Sequence, residues 1–200
     1  TNNDYGKGLA DVYAAAVKAH GIKVTTVAAH EDGKADYSAE VATLASAGGD
    51  AVAVIGYLDQ GGKGIIQGSL DSGAFDTFIL SDGMIGQSLV DAFGKSLSKS
   101  FGSLPGSTGK GAGIFAKVAK ASGIDSSGPY TSESYDAAAL ITLAMQAGGK
   151  ADRATVQANV MAVANAPGKK IYPGELGKAL DLLAKGKAVN YEGATGVEFT

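Results

Sequence analysis

The feature that most constrains the fold is a set of short apolar runs that alternate with amphipathic stretches in the first half of the chain. Residues 51–55 are apolar at every position, and residues 77–80 form a similar run. A strand that is apolar on both faces is typical of a parallel sheet with helices on both sides. The β-branched residues 22–28 predict a further strand, and helical spacing of apolar residues is found over residues 5–20, 38–47, 60–70 and 87–97. The alternation predicts βαβ units and a doubly wound α/β sheet.

The pattern changes at residues 101–109, which are rich in Gly, Ser and Pro and favour a linker or hinge. Beyond this point only residues 196–199 are strand-like, and helices are predicted over residues 114–121, 132–147, 152–163 and 175–184. Helices with so little strand cannot complete a sheet, so we expect this half to pack on strands supplied elsewhere. Residues 1–6 resemble a loop within a fold, so we expect the chain to be a piece of a longer protein.

Composition narrows the function classes. With 45% hydrophobic and 18% charged residues, the chain can bury a sizeable core. A formal net charge of −3 leaves no basic footprint for nucleic acid or an anionic membrane surface. The longest apolar runs have the length of a strand, far below the roughly 20 residues that span a bilayer. The absence of cysteine excludes disulfides, thiolate metal sites and cysteine nucleophiles.

Two nucleotide-binding motifs are nearly present, and both lack required residues. The run from Gly106 to Gly111 resembles a phosphate loop, but Leu104 stands at its first glycine position and Gly111 at its Ser or Thr position. Gly62 and Gly64 match two glycines of a dinucleotide fingerprint, but Gln67 stands at the third. A tight helix entry explains these glycines better, so no cofactor is expected.

The two histidines give no catalytic or metal-binding pattern. His20 lies at a helix end and His30 in a polar loop, and neither has a carboxylate or second histidine at ligand spacing. We expect both to be exposed to solvent. No Ser-His-Asp arrangement can be assembled around them, so no catalytic residue and no metal site is predicted, and an enzyme is not expected.

Three polar or aromatic residues follow predicted strands, where open α/β sheets bind ligands. Tyr57 comes directly after residues 51–56, and Asp82 after residues 78–81, with Gly83 leaving room beside it. Tyr5 precedes the first helix, where a preceding strand would end. An aspartate there can pair with an ammonium group, and two tyrosines can form a flat wall with hydroxyls for hydrogen bonds. The alternative is that Asp82 caps a helix and the tyrosines only pack at the rim.

Several short runs in register resemble the leucine/isoleucine/valine-binding family of type I periplasmic solute-binding proteins. They are spread over essentially the whole chain, and they are Asn3-Asp4-Tyr5-Gly6-Lys7-Gly8-Leu9-Ala10, Asp36-Tyr37-Ser38-Ala39, Gly49-Asp50-Ala51-Val52, Gly56-Tyr57, Gly73, Ser134-Tyr135-Asp136-Ala137-Ala138 and Tyr191-Glu192-Gly193-Ala194-Thr195-Gly196.

The resemblance implies a bilobed type I periplasmic-binding fold whose two lobes close on a solute. Residues 1–103 would form most of the second lobe, residues 104–109 a crossing between lobes, and residues 110–200 would return mainly to the first lobe, whose earlier part is absent. Tyr5 and Tyr57 match two tyrosines that line the ligand, and Asp82 matches the acidic residue that receives the ligand's α-ammonium group. That residue is usually glutamate in the family, which leaves the ligand's identity open. The groups that hold the α-carboxylate have no counterpart in this chain.

The function implied is capture of an amino acid or related small solute outside the cytoplasm, in the periplasm, for the membrane permease of an ABC transporter. Two alternatives use the same fold. One is a sensor or receptor domain that passes a ligand signal to a membrane partner, and the other is an amide-type regulator with a cytoplasmic partner. An enzyme would need a catalytic group that the failed motifs do not provide.

Overall fold

The computed structural model of the chain describes residues 1–107 and 109–199. The chain divides into two units, Thr1–Leu104 and Pro105–Thr200. The division falls at the start of residues 104–109, where the family resemblance implies a crossing between lobes. Thr108 of that segment lies outside the described residues, and the lobe assignments themselves stay predictions.

The first unit is built on a parallel sheet of three short strands in the order β1-β2-β3. The strands are β1 (Val52–Val54), β2 (Phe78–Leu80) and β3 (Phe101–Gly102). Val54 is opposite Leu80 in the register, and Leu80 is opposite Gly102. The helices are α1 (Asp4–Ala19), α2 (Ser38–Ala47), α3 (Gly62–Asp71) and α4 (Gln87–Phe93), and single 3₁₀ turns cover Leu58–Gln60, Asp82–Met84 and Gly94–Leu97.

The apolar strands form the core of this unit. Val52 and Val54 point into it from β1, and Phe78 and Leu80 from β2. The α3 helix, which connects these two strands, buries Ile65 and Ile66 against them. The predicted α/β class with parallel strands is therefore confirmed, since helices link neighbouring parallel strands.

The strand predicted over residues 22–28 does not form. Within the described residues this segment has no strand ladder, and Ile22 and Val27 are 58% and 66% exposed. Residues 1 and 2 lie between its end and β1, because the Thr1 amino group donates to Ile55 O at 2.5 Å and the Asn2 N–H to His30 O at 2.8 Å. β-branched residues favour a strand only where a neighbouring strand pairs with them, and here none does.

The predicted linker over residues 101–109 begins with a strand instead. Phe101 and Gly102 pair with Ile79 and Leu80 of β2. A Cβ at position 102 would meet Leu80 O at 2.7 Å. Glycine therefore marks a close approach of β3 to β2 here.

The second unit combines four helices with a two-stranded parallel sheet. The helices are α5 (Lys110–Ala121), α6 (Thr131–Gly148), α7 (Arg153–Ala164) and α8 (Leu176–Ala184), and the strands are β4 (Lys169–Ile171) and β5 (Val189–Tyr191). All four helices were predicted. The strand predicted over residues 196–199 is wrong, and the β4-α8-β5 unit was missed. The core of the second unit contains Leu143 and Ala144 of α6, Ile171 of β4 and Tyr191 of β5.

Among the described residues, no helix is both long and apolar enough to span a membrane.

Candidate functional site

The ends of three segments meet at one edge of the first unit. The start of α1 brings Tyr5, the loop after β1 brings Tyr57, and the loop after β2 brings Ser81 and Asp82. In parallel sheets the carboxyl ends of neighbouring strands lie at the same edge. The three residues predicted from the sequence, Tyr5, Tyr57 and Asp82, are therefore brought together. We refer to these three residues and Ser81 as the rim cluster.

Tyr5 is positioned by the first turn of α1. The Asn3 side chain caps the helix and accepts a hydrogen bond from the Gly6 N–H at 2.9 Å. Gly6 is buried, and a Cβ there would meet Thr1 O at 2.0 Å. Glycine at position 6 lets residue 1 pack against the helix start, which holds Tyr5 over the end of β2.

The Tyr5 hydroxyl links the helix to the loop after β2. It donates to Asp82 Oδ1 at 2.6 Å and lies 3.1 Å from Ser81 Oγ. Burial, followed by the hydrogen bond to Asp82, raises the pKa of Tyr5 above its usual value. The hydroxyl therefore remains protonated at neutral pH, and Asp82 has a permanent donor.

The rings of Tyr5 and Tyr57 form one aromatic surface. Their centroids are 5.3 Å apart with an interplanar angle of 26°, so the rings are stacked. Tyr57 is 38% exposed, whereas Tyr5 is half-buried. The surface thus offers an accessible apolar face beside the half-buried carboxylate of Asp82.

Two glycines allow the loops to approach each other. A Cβ at Gly83 would meet Gly56 O at 2.4 Å and the Tyr57 ring at 3.2 Å. The space beside Asp82 that the sequence assigned to Gly83 is therefore occupied by the loop after β1. Asp82 starts a 3₁₀ turn, and Ser81 occupies its N-cap position without a side-chain capping bond.

Ser81 is the member of the rim cluster that the sequence analysis missed. Its Oγ accepts a hydrogen bond from the Gly56 N–H at 3.4 Å and lies within reach of the Tyr5 hydroxyl. The only sequence signal was its place directly after β2. A serine at that position is common in loops.

His30 contradicts the expectation that both histidines are exposed. It is 5% exposed, with its ring edge-on to Tyr37 at a centroid distance of 5.8 Å. A Cβ at Gly56 would lie 3.1 Å from its ring, so His30 packs against the loop that carries Tyr57. Burial lowers the pKa of His30 and favours the neutral imidazole. His20 is exposed, as expected.

Gly62, Gly64 and Gly111 of the near-motifs have packing roles, whereas Gly106 and Gly109 have no atom within 4 Å of a Cβ. A Cβ at Gly62 would meet the Met84 sulfur at 2.2 Å, and one at Gly64 would meet the Tyr37 ring at 2.6 Å. Gly111 lies against Gly193 O, which a Cβ would approach to 1.9 Å. Within residues 1–107 and 109–199, no three His, Asp or Glu side chains are grouped to hold a metal ion.

A shallow cavity of about 230 Å³ lies between α2 and α3, and no member of the rim cluster lines it. Its walls are mostly small or apolar residues such as Val41, Ala42, Gly64 and Gly68. A ligand pocket needs convergent polar groups as well as apolar walls. The rim cluster meets that description better.

Comparisons with known proteins place this geometry in context. No family model matches the chain. Over 68 residues, 34% of its length, the chain is 41% identical to the chemotactic signal transduction system substrate-binding protein BasB of Halobacterium salinarum, and the match is 16% of that protein. A crystal structure of a type 1 periplasmic binding protein from Bordetella pertussis Tohama I superposes with a TM-score of 0.68 at 23% identity.

The fold is that of a type 1 periplasmic binding protein. The superposition covers 83% of the chain and 49% of the Bordetella structure, so the chain spans about half of that protein. The predicted type I periplasmic-binding fold is confirmed. Both compared proteins are named as binding proteins and neither as an enzyme. This agrees with the prediction that the chain is not an enzyme.

Proposed function

We propose that the chain is part of an extracytoplasmic solute-binding protein, of the leucine/isoleucine/valine-binding type, that captures an amino acid or related amine by closure of two lobes. The observation that carries the proposal is the convergence of Tyr5, Tyr57 and Asp82 at the carboxyl ends of β1 and β2. Type 1 periplasmic-binding folds that close on a ligand use such an edge as one wall of the site.

The chemistry of the rim cluster favours a ligand that combines a cation with an apolar body. The Asp82 carboxylate supplies the negative charge, and a charge-assisted hydrogen bond to an ammonium group is stronger than a neutral one. The stacked rings of Tyr5 and Tyr57 supply the apolar wall beside it. Lobe closure would exclude water and strengthen the ion pair.

A permease of an ABC transporter is the partner we propose, with the protein located in the periplasm or its equivalent outside the cytoplasm. A second candidate is a ligand-sensing role with a membrane signalling partner. The relative BasB, whose name places it in a chemotactic signal transduction system, favours that candidate.

Binding is tested by nuclear magnetic resonance titration of the chain, which detects weak complexes. Three matched probes isolate the ammonium group: L-leucine, 3-methylbutylamine, which lacks the carboxylate, and 4-methylpentanoate, which lacks the amine. We expect the first two to shift the Tyr5 and Tyr57 ring signals and 4-methylpentanoate to leave them unchanged.

The Asp82→Asn variant provides the decisive control. It should weaken binding of both amines by about 30-fold or more, which corresponds to about 2 kcal/mol. Asp59→Asn is the matched control, because Asp59 is an exposed aspartate that pairs with Lys63 at 2.6 Å outside the rim cluster. Equal responses of the wild type and Asp82→Asn would remove Asp82 from the site. Binding of 4-methylpentanoate alone would replace the amine with an acid as the ligand class.

Deletion of the encoding gene distinguishes the permease of an ABC transporter from the membrane signalling partner. Loss of labelled leucine uptake would support the transporter. Intact uptake with a lost behavioural response to the same amino acid would favour the sensor.

A further inference from the structure

Ser81 connects the three segments that form the rim cluster. Its Oγ is 3.1 Å from the Tyr5 hydroxyl and 3.4 Å from the Gly56 amide nitrogen. Its own backbone N–H donates to Val54 O at 3.2 Å, which fixes it to the end of β1. Asp82 follows directly in the chain. One side chain therefore touches α1 and the loop after β1 from the end of β2.

The number of protons on each group shows which group donates and which accepts in these hydrogen bonds. The Tyr5 hydroxyl has one proton, and an ionised Asp82 can only accept, so that proton lies in the 2.6 Å bond to Asp82. The contact between Ser81 and Tyr5 must then use the Ser81 proton. Ser81 Oγ in turn accepts from the Gly56 N–H. The chain of donors runs from Gly56 through Ser81 and Tyr5 to Asp82.

We propose that Ser81 is a positioning residue of the solute site, which orients the Tyr5 hydroxyl toward Asp82 and thereby fixes the carboxylate that receives the ligand's ammonium group. The proposal rests on the function proposed above for Asp82. Hydrogen bonds that point the same way along a chain polarise and strengthen one another. Ser81 therefore acts on the ligand through Tyr5, without touching it.

The geometry explains why a hydroxyl is needed at position 81. Without the Ser81 hydroxyl, the oxygen of Tyr5 loses one of the hydrogen bonds that hold it beside Asp82. The hydrogen bonds of Tyr5 with Asp82 and with the Gly83 backbone then remain, but the Ser81 side chain no longer ties the Tyr5 oxygen to the loop after β1. The neighbouring Gly83 contact with Gly56 would keep the loops together in the variant.

A test that needs no ligand compares Ser81→Ala with Ser81→Thr, which keeps a hydroxyl. Tyrosine labelled with ¹³C at Cζ reports the ionisation of Tyr5, and Tyr5→Phe assigns its signal. A donor to the Tyr5 oxygen stabilises the tyrosinate, so Ser81→Ala should shift the Tyr5 titration to higher pH and Ser81→Thr should restore it. Exchange of the Gly56 amide should be faster in Ser81→Ala only. An unchanged Tyr5 titration and Gly56 exchange in Ser81→Ala would overturn the proposal.

A double-mutant cycle with Tyr5→Phe tests the link to the ligand, with 3-methylbutylamine as the probe. Ser81→Ala should weaken binding about tenfold in the wild type, the size of one neutral hydrogen bond. In the Tyr5→Phe background it should have almost no effect. Equal losses in both backgrounds would mean that Ser81 acts as general packing and would overturn the positioning role. If no amine binds the wild type while the Tyr5 titration still moves, the hydrogen-bond chain stands and only the amine function fails.

Discussion

Gly83 shows how one missing side chain sets the rim cluster. A Cβ at this position would lie 2.4 Å from Gly56 O, and a backbone atom cannot move aside as the end of a flexible side chain can. The two loops that carry Tyr57 and Asp82 therefore meet only because residue 83 is glycine. The geometry of the rim cluster therefore depends on the lack of a side chain at residue 83 as much as on the polar groups.

We therefore expect Gly83→Ala to lower the free energy of unfolding by about 1–3 kcal/mol, the usual cost of overpacking. Gly8→Ala is the matched control. Gly8 lies within α1, and nothing lies within 4 Å of a Cβ there, so alanine should stabilise by about 0.5–1 kcal/mol through helix propensity. Urea unfolding of both variants measures the difference. A Gly83→Ala variant as stable as the wild type would mean that the loops relax without cost.

At the residue scale, the sequence was enough to predict that Tyr5, Tyr57 and Asp82 lie at one edge of the sheet. Ligands bind beyond the carboxyl ends of parallel strands, and that rule needs only the position where each strand ends. It could not predict Ser81, since its role depends on the distances to Tyr5 and Gly56. His30 was assigned wrongly, because a polar loop sequence does not reveal that its ring packs on Gly56 and Tyr37.

Among the elements, the loop after β5 is held by one buried carboxylate. Asp136 of α6 is 3% exposed and accepts from the Tyr191 hydroxyl, the Ala194 and Thr195 N–H groups and the Thr195 hydroxyl, at 2.7–3.0 Å. Gly193 has a φ of +58° and would bring a Cβ to 2.4 Å from Asp136 Oδ1. The Asp136 carboxylate thus connects the end of β5 to α6. Residues 134–138 and 191–196, which contain these groups, are two of the runs that carry the family resemblance.

Tyr191 gives this element an alkaline pH dependence. Burial, and then the hydrogen bond to Asp136, raise the pKa of Tyr191 well above its usual value. The unfolded chain loses the tyrosine proton near pH 10 while the folded chain keeps it, so stability is full below pH 10 and falls as the pH rises above it. We expect urea midpoints measured from pH 8 to 11 to fall at the alkaline end. In Tyr191→Phe that fall should be smaller, although the variant is less stable at pH 8. An identical alkaline slope in Tyr191→Phe would show that other groups cause it.

The sequence predicted helices more accurately than strands. Helices were found because their apolar spacing persists over about two turns or more, and over 18 residues in Thr131–Gly148. Strands of three residues gave weaker signals: residues 22–28 have the right composition but no partner, and the polar β4 and β5 strands were missed because Lys169, Lys170 and Asn190 interrupt the apolar pattern. A strand forms only when a second segment pairs with it, and the composition of one segment does not show whether such a partner exists.

For the whole molecule, the largest apolar cluster of each unit is built from that unit's own residues. One is centred on Ile66, Phe78 and Met84, and the other on Leu143, Ile171 and Tyr191. Because neither cluster includes residues of the other unit, a lesion in one core should first open that unit. Stability would then be a property of each unit rather than of the chain as a single cooperative body.

Asp136→Asn tests this separation, because its amide nitrogen would face hydrogen-bond donors inside the second unit. We expect a loss of about 2 kcal/mol or more, seen as roughly 30-fold faster exchange of the Leu143 and Ile171 amides. The Ile66 and Leu80 amides of the first unit should keep their wild-type rates. Asp181→Asn, on the exposed side of α8, is the matched control and should change neither set. Equal acceleration in both units would mean that they unfold together, and the rim cluster would then depend on the second core as well as on its own.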